Sequence, residues 1–227
     1  MASPTDRTSR HIDLSHVIEH GMVTFKGLPG PAICDFWSRE ASAANYDDGS
    51  RFQIGRIDMV ANTGTYLDAP FHRHEDGRDL SQLDLARLSD LPAVVVRHPF
   101  AQGLAVDAAS FAGLELGGKA VLVHTGWDRH WRTEAYFDDH PFLTRDAADL
   151  LVAAGAALVG IDSHNIDDTR TRSRPVHTIL LGADVPICEH LTRLEHLPDT
   201  GFRFNAVPPP IAGMGTFPVR AHAVVPG

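Results

Sequence analysis

Asn62-Thr63-Gly64-Thr65-Tyr66-Leu67-Asp68-Ala69-Pro70-Phe71-His72 is the stretch around which the chain is organised. It holds a carboxylate at Asp68 and an imidazole four residues later at His72. Gly64 tolerates backbone angles that other residues resist, so the chain can turn tightly there. Pro70 fixes its own φ and pushes Ala69 toward extended backbone, which argues against a helix through the segment. In extended chain alternate residues share a face. Asn62, Tyr66, Asp68 and His72 are therefore expected to converge, with some distortion at the Gly and the Pro. A carboxylate and an imidazole so placed can hold a metal ion or move a proton. They would serve equally well in a hydrogen-bonded turn.

The rest of the chain narrows the classes. With 227 residues there is enough chain for one full core. We expect residues 11–227 to form a single domain, with residues 1–10 as a short disordered lead-in. An apolar content of 43% and a charged content of 22% are ordinary for a soluble globular protein. The net charge of −9, with no basic stripe, argues against a nucleic-acid partner. No apolar run approaches the ~20 residues of a membrane span, and the N-terminus lacks the apolar core of a secretory signal. Two cysteines, Cys34 and Cys188, fit a reducing compartment. These features together predict a cytoplasmic enzyme or binding protein that takes a small molecule. Fourteen histidines add weight to metal or proton chemistry, although most are expected at the surface.

Periodicity gives the elements. His11–Ile18 and Phe52–Val60 alternate apolar and polar residues and read as strands. Residues 21–31 form a loop punctuated by Gly and Pro, and 41–50 a polar loop. Leu80–Leu88 has helical spacing with Ser81 as a cap, and Val106–Phe111 reads as a short helix. Ala93–Val96, Lys119–His124 and Ala157–Ile161 are apolar runs of buried strands. Thr144–Ala154 is a helix with Gly155 as its terminator. Pro175–Gly182 is another, followed by a strand at Val185–Cys188. Gly201–Val207 and Val219–Val224 close the chain as strands. Strands alternating with helices indicate an α/β domain with a mixed sheet.

The opening stretch resembles the signature of the cyclase family that includes bacterial kynurenine formamidase and isatin hydrolase, His-x-Gly-Thr-His-x-Asp-x-Pro-x-His. Gly64, Thr65, Asp68, Pro70 and His72 match it; Asn62 and Tyr66 stand where the two leading histidines belong. The likeness continues at Asp13–His16, at Gly160, Ile161, Asp162, Ile166 and Asp167, and at His177 and Glu189. It covers roughly residues 11–226. It implies a single α/β domain, with a mixed, barrel-like β structure flanked by helices (a swivelling β/β/α fold), assembled as a homodimer or larger homo-oligomer.

The resemblance also implies a site. In metal-dependent members the two leading histidines are metal ligands. In two-metal members the signature Asp holds a second ion together with a later His and Glu. Asp68, His177 and Glu189 would keep that second set intact, whereas the first has lost both imidazoles. At most one divalent ion, zinc or manganese, is expected. Three readings follow. A hydrolase acts on an amide, lactam or ester carbonyl of a small aromatic molecule, with His72 as general acid and base. A metal-free cyclase of natural-product (polyketide) biosynthesis uses His72, Asp68 and Tyr66 as its acid–base set. A non-catalytic relative keeps the fold alone. The intact ligand set favours the hydrolase. Phe25, Trp37, Asn62, Phe71 and His164 are the expected substrate contacts, with Phe36, His124 and Trp127 as further pocket candidates.

Overall fold

The computed structural model describes residues 9–227. Residues 1–8 of the expected lead-in lie outside the described residues, and Arg10 already opens the first strand. In chain order the first strands are β1 (Arg10–Asp13), β2 (Ala32–Trp37), β3 (Ile54–Asp58), β4 (Tyr66–Asp68), β5 (Leu91–Arg97), β6 (Ala105–Val106) and β7 (Ala120–His124). They are followed by β8 (Phe142–Leu143), β9 (Leu158–Ile161), β10 (Ile187–Glu189), β11 (Phe202–Asn205), β12 (Thr216–Pro218) and β13 (His222–Val225). The α-helices are α1 (Arg39–Ser42), α2 (Arg145–Ala153) and α3 (Pro175–Gly182).

Nine strands form one mixed sheet in the order β1-β13-β11-β5-β7-β9-β10-β4-β12. Its centre, β5-β7-β9-β10, is parallel, and its flanks are antiparallel. The sheet curls into a half-barrel, the α/β architecture that the resemblance implied. The apolar runs have a direct cause. A strand covered on both faces must be apolar at successive positions. In β5, Ala93 and Val95 enter one core while Val94 and Val96 enter the other. In β7, Ala120 and Leu122 face the first and Val121 and Val123 the second. Helices α2 and α3 cover the second face through Ala147, Leu151, Val176 and Leu180. Each large aliphatic side chain fully buried in this way is worth about 1.5–3 kcal/mol.

Several local expectations are corrected. Leu80–Leu88 is not a helix. Ser81 bonds the Asp79 carboxylate, and only Leu85–Arg87 winds into a 3₁₀ turn, capped by Asp84. Val106–Phe111 splits into β6 and a 3₁₀ turn at Ala108–Phe111. The opening strand stops at Asp13 rather than Ile18. The strand expected at Phe52–Val60 shortens to β3 and leaves the main sheet, pairing with β2 in a fully exposed two-stranded ribbon. The strand expected at Val219–Val224 starts only at His222, as β13, and an unexpected short strand, β12, precedes it at Thr216–Pro218. In contrast, α3 has the expected bounds, because Pro175 opens it at its first turn.

Candidate active site

The site is built by register. Strand β4 lies between β10 and β12, which places Tyr66 opposite Glu189 and Thr216 opposite Asp68. Successive side chains on a strand point to opposite faces. Leu67 and Cys188 therefore enter the core while Tyr66, Asp68 and Glu189 face the site. Alternation ends at Ala69. Pro70 opens a 3₁₀ turn over Pro70–His72, and this turn, rather than extended chain, folds His72 back until its Nδ1 is 3.6 Å from Asp68 Oδ1. Gly215 permits the approach, since a Cβ there would collide with the His72 backbone. Gly64 adopts φ +68°, and its N–H donates to Thr24 Oγ1 at 2.8 Å.

Thr216 joins the acid to the imidazole. Its hydroxyl donates to Asp68 Oδ1 in a short contact and lies 2.8 Å from His72 Nδ1. An ionised carboxylate only accepts, and a hydroxyl has one proton. The proton therefore goes to Asp68, and the Thr216 oxygen accepts from His72 Nδ1–H. This assigns the tautomer and leaves the His72 Nε2 lone pair free.

His177 is held from behind. Asp167 Oδ1 accepts from the Val176 N–H at 2.8 Å, and its Oδ2 accepts from the His177 N–H at 3.0 Å and from Nδ1–H at 2.7 Å. One carboxylate thus caps α3 and orients the ring. His177 Nε2 then lies 3.7 Å from both Asp68 Oδ2 and Glu189 Oε1. Glu189 has both oxygens engaged, by the Ile166 N–H at 2.7 Å and by the Tyr66 hydroxyl at 2.6 Å. Asp68 Oδ2 is wholly buried and has no hydrogen-bond partner.

The resulting field is acidic. Burial opposes charge on His177, but the bond to Asp167 and the nearby carboxylates of Asp68 and Glu189 outweigh it, raising the imidazole to about 10. Burial pushes Glu189 upward; His177 opposes this and Asp68 adds to it. Burial, reinforced by Glu189 and Asp68, holds the Tyr66 phenol well above its usual range, so it stays protonated. His177 Nε2 lies near both carboxylates, and one of their oxygens, Asp68 Oδ2, is an orphaned buried acceptor, which suits a cation. Among the described residues, the set whose ligand atoms all lie within 4.8 Å of one another is Asp68, His72 and His177. Two of the three expected ligands, Asp68 and His177, belong to that set together with His72; Glu189 stands outside it, with Oε1 3.7 Å from His177 Nε2.

A cleft of about 270 Å³ opens onto these groups. Tyr66, His72, His177, Glu189 and Asn62 form its polar wall, and Phe25 and Leu28 its apolar one. Other expected contacts lie elsewhere. Trp37 sits exposed on the β2–β3 ribbon beside Phe36, away from the cleft wall. Phe71 is half-buried in the turn and outside the cleft lining. His164 is buried beyond Phe25, its ring stacked on the phenylalanine at 4.6 Å. His124 bonds Arg97, and Trp127 Nε1 donates to the Tyr136 carbonyl. Sequence reasoning did not single out Thr216, Arg73, Arg174 or Asn165.

Beyond Tyr66 lies a second group of histidines. The Tyr66 proton goes to Glu189, so His190 Nε2, 3.4 Å away, faces that oxygen as the donor, which leaves Nδ1 to accept from the Tyr136 hydroxyl at 2.8 Å. His140, His164 and His16 complete the group, together with Trp131 and Phe137. Burial pushes all four imidazoles down: His190 well below its usual range, His16 to about 4, His164 to about 3, and His140 in the same direction.

Comparison with known proteins agrees with this architecture. The sequence model of the Cyclase family, described as "Putative cyclase", matches residues 12–168. A kynurenine formamidase of Bacillus cereus is 26% identical over 215 residues, covering 95% of this chain and 97% of that protein. Isatin hydrolase A from Labrenzia aggregata superposes with a TM-score of 0.83 at 21% identity, over 96% of this chain and 94% of that one, which supports the fold. A structure described as a potential metal-dependent hydrolase with cyclase activity superposes with a TM-score of 0.77 at 25% identity, over 96% and 98% of the two chains.

Proposed function

Since the chain belongs to the cyclase family, we propose that it is a hydrolase of non-peptide amide bonds in small molecules, using a divalent cation and His72. The observation that carries this reading is the orphaned Asp68 Oδ2, with His177 Nε2 3.7 Å from it and 3.7 Å from Glu189 Oε1. The name of the Bacillus cereus relative, an amide hydrolase, supports it, as does the description of the metal-dependent hydrolase neighbour. Zinc or manganese, a homodimer or larger homo-oligomer, a cytoplasmic location and an aromatic substrate belong to the same reading.

Asp68, His177 and Glu189 would hold the ion. A divalent cation there supplies Lewis-acid polarisation of the carbonyl and a more acidic water. The chain's own residues do the rest. Asp167 fixes the His177 tautomer so that Nε2 faces the site. Thr216 holds His72 as the Nδ1–H form, so Nε2 can take a proton from the attacking water and return it to the leaving nitrogen. Tyr66 keeps Glu189 in place. Phe25 and Leu28 offer apolar surface to a ring. The metal-free cyclase reading would need the Tyr66 hydroxyl as a donor to substrate, and that proton is bonded to Glu189.

The test is hydrolysis of formanilide by protein stripped with a chelator and reloaded with zinc or manganese. We expect one ion per chain, turnover only when it is bound, and loss of both in Asp68→Asn. Full turnover by stripped protein would remove the ion from the reading. If neither formanilide nor an aryl lactam nor an aryl ester is hydrolysed, the hydrolase reading falls.

A further inference from the structure

Three side chains on the polar wall of the cleft have a proton already committed. Tyr66 gives its hydroxyl proton to Glu189, His177 its Nδ1–H to Asp167, and His72 its Nδ1–H to Thr216. Asn165 differs. It lines the same cleft, and its Oδ1 accepts from the Asp167 N–H at 3.0 Å. That bond settles which end of the amide is oxygen and which is nitrogen. Among the described residues Nδ2 makes no hydrogen bond, yet it is not one of the wholly enclosed polar atoms that lack a partner. It therefore opens into the cleft with two free N–H groups. Asn62 also lines the cleft, but among the described residues no hydrogen bond fixes its amide.

The Asn165 amide is held still. The residue is 7% exposed and lies in the loop that leaves β9. Further along this loop the Ile166 N–H donates to Glu189 Oε1 at 2.7 Å, and Asp167 caps α3 and orients the His177 ring. Before it, Ser163 Oγ donates to the Pro141 carbonyl at 2.7 Å, and Phe25 stacks on His164. One loop thus sets Glu189, His177 and the amide relative to one another. A donor fixed in advance stabilises developing negative charge without reorganising when the charge appears.

We propose that Asn165 is a further catalytic residue, whose Nδ2 donates to the substrate carbonyl oxygen as it becomes an oxyanion. The proposal rests on the hydrolase reading. In that reaction the water oxygen bonds to the carbonyl carbon and its proton passes to His72 Nε2, while the carbonyl π pair moves onto oxygen. When the pair returns, the carbon–nitrogen bond breaks and the nitrogen takes the proton from His72, leaving a carboxylic acid and an amine. The oxygen is charged only between the two steps, so a donor that strengthens there raises kcat more than it lowers KM. A neutral amide suits the place. It does not titrate, and it forms no ion pair with Asp68 or Glu189.

Asn165→Asp tests this, because it keeps the shape and the acceptor for the Asp167 N–H and removes both donors. Formanilide kinetics and the affinities of two ketones are measured on ion-loaded protein. 2,2,2-Trifluoroacetophenone offers a tetrahedral hydrate, and acetophenone stays planar. Wild type should bind the first about tenfold or more tightly than the second. Asn165→Asp should lower that preference about fivefold or more, leave acetophenone affinity in place, and lower kcat about 10²–10³-fold with KM within about twofold. Melting temperature and ion content should match wild type. Should this variant fail to fold, Asn165→Ser, with one shorter donor, should still lower the preference severalfold. An unchanged kcat with an unchanged preference overturns the donor, and so does a loss of kcat that only follows loss of the ion. The two readings fail separately. Formanilide turnover that Asn165→Asp leaves intact removes the donor alone. A hydrate preference that depends on Asn165, without turnover of any amide, lactam or ester, removes the hydrolase alone.

Discussion

Tyr66 lies between the buried His177 and a group of four histidines, and the two sides are pushed toward opposite charge states. On the cleft side His177 sits among Asp68, Asp167 and Glu189 and is raised to about 10. On the other side His16, His140, His164 and His190 pack among aromatic rings and one another and are all pushed down. Glu189 and His190 are neighbours in sequence, yet one belongs to each group. Burial acts the same way on every imidazole, by disfavouring charge. The carboxylates reverse it on one side alone. The lesson is that proton affinity here follows the neighbours across strands.

The widest separation between the two sides should come from single substitutions. Loss of a general acid or base typically costs ~10²–10⁴-fold in rate. His72→Ala should lower kcat on a hydrolysed amide by that range while leaving the melting temperature near wild type, because its side chain is a third exposed. His190→Leu should act through stability. It strands the Tyr136 hydroxyl without its acceptor, and an unsatisfied buried polar group costs about 1–3 kcal/mol. Urea unfolding and steady-state kinetics read the two effects. If His72→Ala unfolds the protein and keeps the rate of the remaining folded fraction, the division of labour is wrong.

A smaller effect is expected from pH. In the aromatic group the folded pKa values lie below the ordinary 6.5, at about 3 for His164 and about 4 for His16. The unfolded chain therefore takes up these protons first. The stability these groups contribute is present above pH 6.5 and is lost as pH falls toward 4. Each such histidine adds up to ~1.4 kcal/mol per pH unit to the slope. In the ion-free protein His177 has the opposite sign: its contribution is complete below pH 6.5 and is lost as pH rises through about 10. His164→Phe should flatten the acid limb of a stability–pH curve by one proton. An acid limb of unchanged slope would mean that His164 is protonated in the folded state.

The same contrast explains what could be read from the chain and what could not. The parallel centre was legible because β5, β7 and β9 are covered on both faces and so are apolar at successive positions. Helix α3 was legible through Pro175 at its start. Asp68 was a candidate from its spacing to His72, whereas His177 and Glu189 could be singled out only by resemblance, since β4 and β10 pair over more than a hundred residues. The ribbon hid its pairing because no face of β2 or β3 is buried, so no hydrophobic period marks it as separate from the sheet. Trp37 looked like a pocket wall for the same reason: a lone aromatic carries no record of which sheet its strand joins. The 3₁₀ turn at Pro70–His72 defeated strict alternation, yet it brought His72 to Asp68 all the same. Fourteen histidines gave no sign of two environments, because the carboxylates that divide them come from distant strands and loops.

Thr216 is the sharpest case of a residue invisible in sequence, and it gives the smallest predicted effect. It is 148 positions from Asp68 and 144 from His72, and its hydroxyl touches both. Nothing about a threonine before Phe217-Pro218 announces such a role. Thr216→Val keeps the shape and removes the hydroxyl. His72 Nδ1 then loses its acceptor, so the ring can turn or exchange tautomers, and Asp68 Oδ1 loses a donor. Residues that orient a working group from behind typically matter by 10–100-fold when changed. Because the turn and Gly215 still hold the His72 backbone, we expect about the lower end, roughly tenfold in kcat. A merely structural role would lower stability and leave the pH–rate profile in place. An orienting role moves that profile, and Thr216→Ser should return both rate and profile toward wild type. Full activity in Thr216→Val with an unmoved profile would show that His72 needs no partner at Nδ1.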